Sequence, residues 1–373
     1  MKNFEELGIS KKFVKGLKEL NIVTPTEIQN KVIPILINSN TDLVGQAQTG
    51  TGKTAAYGLP LLQKVDPGQN KVQGLILCPT RELGQQIAKQ LFKYTKYSAK
   101  IFTEAVYGGE PIERQLNNLK KPTHIVVATP GRLIDLLKRK ALDLSHVKTV
   151  ILDEADEMLS MGFKAELDEI LEYTSSAENK WLFSATMPLG IKQIVTRHLA
   201  NNAVRIEVNE KNVVNKNIEH QYLIVEETDK LHALLQFLKS EGTNRGVIFC
   251  RTKVAAKKLA LQLEAKNLKV GAIHGDLMQK ERDKVMRAFK NETSRLLVAT
   301  DLAARGLDIE ALSFVVHYQL PDKDEYYTHR SGRTARAGKK GISLSLVTPF
   351  ETKQIRFYEK TLHIVFSQIT QGN

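Results

Sequence analysis

The sequence has few of the residues that crosslink a protein or hold it in a membrane. Only two of its 373 residues are cysteines, Cys78 and Cys250, and no Cys/His spacing resembles a zinc site. Both end apolar runs, so we expect buried thiols in a reducing compartment rather than a metal or redox site. No apolar run approaches the roughly 18 residues that span a bilayer. Residues 1–6 begin no signal peptide, because no apolar stretch follows them, and the cytoplasm is the expected location.

Acidic residues are fewer than basic ones. The chain has 54 Lys and Arg against 41 Asp and Glu, a formal net charge of +13 at pH 7 and a pI near 9.4. A basic protein of this size often binds a polyanion. A solvated basic surface would give the same balance, so charge alone does not decide for nucleic acid.

Apolar runs rich in Val, Ile and Leu alternate with amphipathic stretches such as 254–268 and 280–289. This alternation predicts parallel strands buried on both faces, with helices between them. The predicted strands are 72–78, 124–128, 149–152, 181–184, 204–208, 222–225, 246–250, 270–274, 296–300, 314–318 and 342–347. A polar, Asn-rich stretch at 208–217 is the predicted linker. The expected fold is α/β, with two domains, 1–207 and 218–373, each a mostly parallel sheet with helices on both faces.

Residues 47–54 read Ala-Gln-Thr-Gly-Thr-Gly-Lys-Thr, a glycine-rich phosphate-binding pattern. Successive backbone N–H groups and the following helix N-terminus favour bound phosphate. Lys53 would reach the outer phosphates, and the Thr54 hydroxyl would bind magnesium. The general pattern begins with Gly, where this chain has Ala47.

An apolar run near 150 delivers carboxylates at its end, at Asp153, Glu154 and Asp156. A phosphate-binding loop needs a magnesium-ordering Asp and a residue that handles the attacking water. The order and spacing of the two segments together predict a nucleoside-triphosphate site.

Polar or glycine-containing segments follow most of the predicted strands, at 79–82, 129–132, 184–186, 251–252, 274–276 and 300–301. In parallel sheets, ligands bind at the carboxyl ends of the strands. Each segment alone also fits a turn with a helix cap. Because all of these segments are expected at the same edge of the two sheets, the set as a whole favours ligand binding.

With these segments in view, the chain resembles the DEAD-box RNA helicases from about residue 4 to residue 347. The matching motifs are Asp-Glu-Ala-Asp at 153–156, Ser-Ala-Thr at 184–186, Ala-Thr-Asp-Leu-Ala-Ala-Arg-Gly-Leu-Asp at 299–308 and His-Arg-Ser-Gly-Arg-Thr-Ala-Arg at 329–336. Ala47 is also the residue usual in this family. The resemblance implies two RecA-like domains with ATP and RNA bound across the cleft between them. Closure would bend RNA and locally separate a short duplex, and phosphate release would reopen the cleft.

The resemblance also assigns the ATP site. Gln29 would read the adenine edge, although a buried structural Gln is the alternative, and Phe4 is the upstream aromatic of that element. Asp153 would position magnesium through water, Glu154 would orient or deprotonate the attacking water, and Asp308 would hydrogen-bond the ribose. The phosphate-binding residues would be Gln48, Thr49, Gly50, Thr51, Gly52, Lys53 and Thr54.

Arg333 and Arg336 resemble arginine fingers. Three-residue spacing on a helix would put both guanidinia on one face, and their planar forks suit a γ-phosphate. A solvated basic helix is the alternative. The resemblance implies that four residues couple the ATP site to RNA: Asp156, Ser184, Thr186 and His329. Local capping is the alternative for the first three.

The implied RNA contacts are small hydroxyls, glycines, a glutamine and arginines at strand ends and helix starts. They are Thr80, Arg81, Gly109, Thr129, Arg132, Arg251, Gly275, Gln279, Arg282 and Thr300. Such groups bind phosphate and sugar rather than base edges, which predicts binding without sequence preference. A preference for RNA over DNA rests on the family resemblance alone.

Some positions depart from the family pattern. Asn21 and Ile22 replace the usual Gly and aromatic of the adenine pocket, which predicts weaker base stacking. Gly84 stands where the family usually has Ala, Gln319 stands where an Asp is common, and Ala335 stands where Gly is frequent. None of these changes removes a catalytic group.

Three functions fit the motifs. The leading one is an RNA-stimulated ATPase that unwinds short duplexes, acting as a monomeric core with ATP and Mg²⁺. The second is an ATP-locked RNA clamp or assembly scaffold with little unwinding. The third is a related DNA translocase, for which the Gln29 element and the 153–156 motif are atypical. Neither the physiological RNA nor the protein partners follow from the sequence, nor does the presence of further segments in a longer chain.

Overall fold

The computed structural model describes residues 2–48, 50–208, 217–304, 312–322, 324–335 and 340–370. The chain divides into two compact units, Met1–Val208 and Asn209–Asn373. Val208 is buried and donates its N–H to the Gln46 carbonyl at 2.9 Å, so it belongs to the core of the first unit. Residues 209–216 of the predicted linker lie outside the described residues.

The first unit has seven strands and nine helices among its described residues. Its strands are β1 Leu43–Gln46, β2 Gly74–Leu77, β3 Thr103–Val106, β4 Ile125–Ala128, β5 Thr149–Leu152, β6 Asn179–Ser184 and β7 Val204–Glu207. Its helices are α1 Lys11–Glu19, α2 Glu27–Asn38, α3 Lys53–Lys64, α4 Arg81–Tyr94, α5 Ile112–Leu119, α6 Pro130–Lys138, α7 Ala155–Ser160, α8 Lys164–Tyr173 and α9 Leu189–His198. The strands form one parallel sheet in the order β3-β4-β2-β5-β6-β1-β7.

The second unit is built in the same way. Its strands are β8 Ile218–Ile224, β9 Gly246–Cys250, β10 Val270–Ile273, β11 Leu296–Thr300, β12 Phe314–His317, β13 Gly341–Val347 and β14 Phe366–Gln368. Its helices are α10 Lys230–Ser240, α11 Lys253–Glu264, α12 Gln279–Lys290, α13 Asp301–Ala304, α14 Asp324–Ser331 and α15 Thr352–Leu362, with a 3-10 turn at Pro349–Glu351. The parallel sheet has the order β10-β11-β9-β12-β13-β8-β14. This order is that of the first sheet, strand for strand.

Alternating strand residues face two separate helix-covered cores, which explains the continuous apolar runs. Ile151 packs in the cluster beneath α1 to α4, whereas its neighbours Val150 and Leu152 pack in the cluster beneath α5 to α9. In the second unit, Ile248 and Val247 divide between two clusters in the same way. The predicted α/β fold, with helices on both faces of each sheet, is confirmed.

All eleven predicted strands are present, and three further strands were not predicted. The missed strands are β1, β3 and β14. β1 contains Gly45 and only two apolar residues, while β3 is an edge strand that is mostly half-buried. β14 is an edge strand of three residues. Short or half-exposed strands lack the continuous apolar pattern that marks the other strands.

The two cysteines occupy equivalent places, at the ends of β2 and β9. Both are free and buried, as expected. Burial raises the pKa of both thiols, that of Cys250 to about 12. Within the described residues, no helix is both long and apolar enough to cross a bilayer.

Candidate functional site

The sheet order of the first unit brings the predicted ATP-site segments together. The glycine-rich loop follows β1, Asp153 follows β5, and Ser184 ends β6. Since β5, β6 and β1 are neighbours and parallel, their carboxyl ends meet at one edge. The Ala47 N–H donates to the Ser184 carbonyl at 3.0 Å, which attaches the start of the loop to the end of β6.

The loop has the backbone of a phosphate cradle. Gly50 and Gly52 have φ angles of 81° and 92°, left-handed values that favour glycine. Lys53 begins α3 and is buried, and its Nζ donates to the Ala47 carbonyl at 2.8 Å. The Thr51 hydroxyl donates to the Gln48 carbonyl at 2.8 Å. The lysine that would bind phosphate is therefore held across its own loop. Thr49 lies outside the described residues.

Gln29 joins the N-terminal helices to this loop. Its Oε1 accepts the Thr26 N–H at 2.9 Å, and its Nε2 donates to the Gly52 carbonyl at 3.0 Å. A Cβ atom on Gly52 would overlap the Gln29 amide, so Gly52 is also required for this close approach. The amide retains a second N–H and a second lone pair. Adenine recognition by Gln29 therefore stays a prediction, beside a structural role that the contacts show.

Phe4 and Ile22 lie near Gln29 in sequence and pack in the same core. The Phe4 ring is 1% exposed within the first apolar cluster. Ile22 is half-buried against this cluster. Contact of either residue with adenine stays a prediction.

Asp153 is a buried carboxylate held from two sides. Its Oδ1 accepts the Glu154 N–H at 3.0 Å, and its Oδ2 accepts the Tyr57 hydroxyl at 2.8 Å. Burial raises the pKa of Asp153, and the Lys53 ammonium and the Tyr57 hydroxyl oppose that rise. Burial and the Asp153 charge raise the pKa of Tyr57 well above its usual value, so this hydroxyl keeps its proton.

Glu154 is the N-cap of α7 and has left-handed φ and ψ angles of 50° and 51°. This conformation is uncommon for a residue with a side chain, and backbone strain of this kind clusters at active sites. The residue is half-buried. It directly follows Asp153, so the sheet places both carboxylates at the edge where the glycine-rich loop begins.

Asp156, Ser184 and Thr186 form one hydrogen-bonded cluster. Asp156 Oδ2 accepts both the N–H and the hydroxyl of Thr186, each at 2.8 Å. The Ser184 hydroxyl donates to the Thr186 carbonyl at 2.6 Å and accepts the Asp156 N–H at 3.3 Å. The structure brings these three predicted residues together, and their coupling to RNA stays a prediction.

The predicted RNA contacts of the first unit follow β2, β3 and β4, which are adjacent. Arg81 lies with its guanidinium 5.4 Å from the centroid of the Tyr107 ring. A Cβ on Gly109, where φ is 82°, would come within 3.2 Å of Arg81 Nη1. Arg132 donates to the Glu110 carbonyl at 3.0 Å. These residues therefore form a patch beside the ATP-site edge. Thr80 and Thr129 occupy the N-cap positions of the neighbouring helices α4 and α6, and the Thr80 hydroxyl accepts the Leu83 N–H.

The second unit places its predicted RNA contacts on the equivalent three strands. Arg251 follows β9, Thr300 ends β11 and Gly275 follows β10, in the adjacent order β10-β11-β9. Gln279 and Arg282 lie on α12, where Gln279 Nε2 donates to Asp283 Oδ1 at 2.5 Å and Arg282 Nη2 to the Ala303 carbonyl at 2.5 Å.

Gln319, one of the departures from the family pattern, contacts Arg251. Its Oε1 accepts the Arg251 N–H at 3.0 Å, while the Arg251 side chain bonds to the Leu320 carbonyl and pairs with Asp322. The glutamine therefore orients the backbone beside a predicted RNA contact.

The predicted helical placement of the arginine fingers is wrong for Arg333. Helix α14 ends at Ser331, and Arg333 lies in the turn that follows. The Thr334 bridge to Leu312 and the φ angle of 55° at Ala335 take the chain away from the helix axis. Arg336 and Asp308 lie outside the described residues. His329 lies on α14, with its ring 6.4 Å from that of Tyr326.

Two site residues were missed from the sequence. Tyr57 lies four residues after Lys53, a spacing that puts both on one helix face and could have indicated it. Arg330 is 1% exposed, and its guanidinium contacts both oxygens of Asp301, at 2.5 and 2.6 Å, and the Gln319 carbonyl at 2.7 Å. No spacing rule connects Arg330 with Asp301, because their approach depends on the tertiary fold.

The fold and this site define a class of protein. A glycine-rich loop after β1, a buried aspartate after the nearby strand β5 and a parallel sheet covered on both faces form a phosphate-binding loop nucleoside-triphosphatase unit. A second unit with the same strand order follows it. This class contains the helicases with tandem sheets.

Sequence and structure comparisons identify the family. The profile described as DEAD/DEAH box helicase matches residues 26–194, and the helicase conserved C-terminal domain matches residues 229–338. The DEAD-box ATP-dependent RNA helicase CshA of Geobacillus kaustophilus is 42% identical over 361 residues, 97% of this chain and 77% of the relative. The ATP-dependent RNA helicase CshA of Listeria monocytogenes is also 42% identical, over 97% of this chain and 69% of the relative. The chain belongs to the DEAD-box family and is an ATP-dependent RNA helicase.

Solved structures agree with this assignment. Saccharomyces cerevisiae Dbp5 bound to RNA and ADP BeF3 matches with a TM-score of 0.89 and 30% identity, covering 99% of this chain and 96% of that one. Mss116p bound to ssRNA and AMP-PNP matches with a TM-score of 0.88 and 29% identity, covering 99% and 79% of the two chains. Each unit is therefore a RecA-like domain.

Proposed function

We propose that the first unit binds ATP at the glycine-rich loop and hydrolyses it with Asp153 and Glu154. The observation that carries this proposal is the buried Asp153 carboxylate, placed by strand order beside the loop that begins at Ala47. Lys53 would leave the Ala47 carbonyl to bind the outer phosphates. Glu154 would orient or deprotonate the attacking water. The adenine would lie against the Gln29 element.

Magnesium fits the residues present. Mg²⁺ prefers oxygen ligands, keeps several waters and uses one or two carboxylates together with substrate phosphates. Thr54 offers a hydroxyl and Asp153 a carboxylate, and the Tyr57 hydroxyl donates a hydrogen bond to Asp153 Oδ2 at 2.8 Å. When bound, the ion would neutralise charge that develops on the phosphates. Asp153 would hold its water shell, and Thr54 would bind it directly.

RNA would bind through its backbone at the two equivalent three-strand edges. The predicted contacts are hydroxyls, glycines, a glutamine and arginines, which suit phosphate and sugar. The RNA-bound states of Dbp5 and Mss116p, which share the fold over 99% of this chain, support this proposal. The protein would act as a monomeric core in the cytoplasm and bind RNA without sequence preference.

Closure of the two units on ATP and RNA would complete the site. Arg333 and Arg336 lie about 280 residues beyond Lys53 in the sequence and would act as arginine fingers on the γ-phosphate, with Asp308 on the ribose. The cluster of Asp156, Ser184 and Thr186, together with His329, would couple closure to RNA. Closure would bend one strand and disrupt a short duplex, and phosphate release would reopen the site.

The variant Glu154→Gln tests the catalytic assignment. It keeps the shape of the side chain and removes the carboxylate that handles water. We expect near-normal binding of ATP and RNA, loss of most of the hydrolysis rate and a long-lived ATP-dependent RNA complex. Single-turnover hydrolysis and RNA dissociation measure the two effects.

Glu166→Gln, a change of the same chemistry in the first turn of α8, serves as the control. Near-normal turnover in Glu154→Gln would refute the role of Glu154. A wild-type protein that stays locked on RNA with slow turnover would favour the clamp over the unwinding enzyme.

A further inference from the structure

Tyr57 places a polar group in the core behind the ATP site. It lies one turn after Lys53 on α3 and is fully buried. Its ring packs 5.2 Å from the ring of Phe183, between centroids. Its hydroxyl donates to Asp153 Oδ2 at 2.8 Å. A phenylalanine would fill the same space, so the hydroxyl is the part of the side chain that packing does not require.

The hydroxyl completes the hydrogen bonding of a carboxylate that solvent barely reaches. Asp153 is 3% exposed, and its other oxygen accepts a local bond, from the adjacent Glu154 N–H at 3.0 Å. Tyr57 is the contact that fixes the Asp153 side chain from another element, α3. Thr54, the other residue of the proposed magnesium site, lies on the same helix as Tyr57, in the first turn of α3.

We propose that Tyr57 is a positioning residue that orients Asp153 toward the hydrated magnesium ion of the bound nucleotide. This inference rests on the magnesium site of the proposed function. Groups that hydrogen-bond to metal ligands set their orientation, and their removal typically costs 10–100-fold in metal affinity or activity. Tyr57 would therefore act on magnesium through Asp153, without contact with the ion.

Equilibrium binding of a fluorescent ADP analogue, with and without Mg²⁺, tests this role without catalysis. In the wild type, Mg²⁺ should tighten nucleotide binding. In Tyr57→Phe, which keeps the ring, this gain should shrink by about 10-fold or more, while the affinity measured without Mg²⁺ stays unchanged. Tyr94→Phe removes another buried phenol hydroxyl of the same domain, at the end of α4, and should retain the full gain.

A double-mutant cycle with Asp153→Asn tests the route of the effect. Once the Asp153 carboxylate is gone, Tyr57→Phe should cause no further loss of the magnesium-dependent gain. A full gain in Tyr57→Phe, or an equal loss of affinity with and without Mg²⁺, would overturn the inference. If the nucleotide affinity of the wild type does not depend on Mg²⁺, that result would instead overturn the magnesium site of the proposed function.

If Tyr57→Phe does not fold, the variant Tyr57→His, which retains a hydrogen-bond donor, should keep part of the magnesium-dependent gain. Complete loss of this gain in Tyr57→His would count against the inference.

Discussion

At the scale of single residues, the ATP site depends on polar side chains that each hold a neighbouring segment. Gln29 holds the Gly52 carbonyl of the glycine-rich loop, and Asp156 holds Thr186. A buried polar group without such a partner would cost about 1–3 kcal/mol. These bonds therefore join the glycine-rich loop to the Gln29 helix and the segment after β6 to α7.

Gln29→Ala should lower the discrimination between ATP and GTP, because the amide can donate to N7 of adenine and accept from its N6 amine. The change should also lower the free energy of unfolding by about 1 kcal/mol, since two hydrogen bonds are lost. Competition binding with ATP and GTP and urea unfolding measure the two effects.

Gln63→Ala provides a matched control. Gln63 likewise bonds to two backbone groups of the first unit, the Ser10 N–H at 3.0 Å and the Gly8 carbonyl at 2.9 Å. It should cost similar stability and leave the ATP/GTP ratio unchanged. An unaltered ratio in Gln29→Ala would leave Gln29 with a structural role alone.

At the scale of elements, the two units repeat the same strand-to-helix junction. Thr80 follows β2 and accepts the Leu83 N–H at 3.3 Å, while Thr252 follows β9 and accepts the Ala255 N–H at 3.1 Å. Each caps the next helix, α4 or α11. Because the two threonines share a cap and a strand position, they differ in one predicted property, the RNA contact that is expected of Thr80.

Thr80→Ala and Thr252→Ala should each lower the free energy of unfolding by about 1 kcal/mol, the usual cost of a lost N-cap. Only Thr80→Ala should also weaken binding of a fluorescent single-stranded RNA. Thr80→Ser, which keeps the hydroxyl, should restore both properties. Equal weakening of RNA binding by the two alanine variants would remove the special role of Thr80.

Local sequence patterns predict most of the fold, whereas the remaining features depend on tertiary contacts. Long apolar runs indicated the buried strands, whereas β1 and β3 lacked that pattern because they are short or half-exposed. The three-residue spacing of Arg333 and Arg336 suggests a helix, but it is equally compatible with the turn in which Arg333 lies. The motifs indicate Gln29, Gly52 and Asp153, but not the Gln29–Gly52 bond or the Asp153–Tyr57 bond, since side-chain pairing depends on how the elements pack.

At the scale of the whole molecule, the two sheets share one strand order, although the halves show little overall sequence similarity. A few equivalent positions carry the same residues in both units. Val127 and Ala128 end β4 and Thr129 follows it, in the sequence order that residues 298–300 (Val-Ala-Thr) repeat at the end of β11, and Cys78 corresponds to Cys250. The predicted RNA contacts occupy the same three strands in each unit, while the glycine-rich loop and the Asp153 carboxylate are present in the first. This placement supports the proposal that both units bind RNA and that the first unit binds ATP.

We predict that RNA of any sequence stimulates ATP hydrolysis, because the proposed catalytic groups come from both units and a partner that binds both would favour the state in which they act together. The most direct test is phosphate release at saturating ATP and Mg²⁺, without nucleic acid and with several single-stranded RNAs of unrelated sequence. We expect a low basal rate and similar, strong stimulation by every RNA. Equal rates with and without RNA would contradict it, and stimulation by one sequence alone would contradict binding through the backbone.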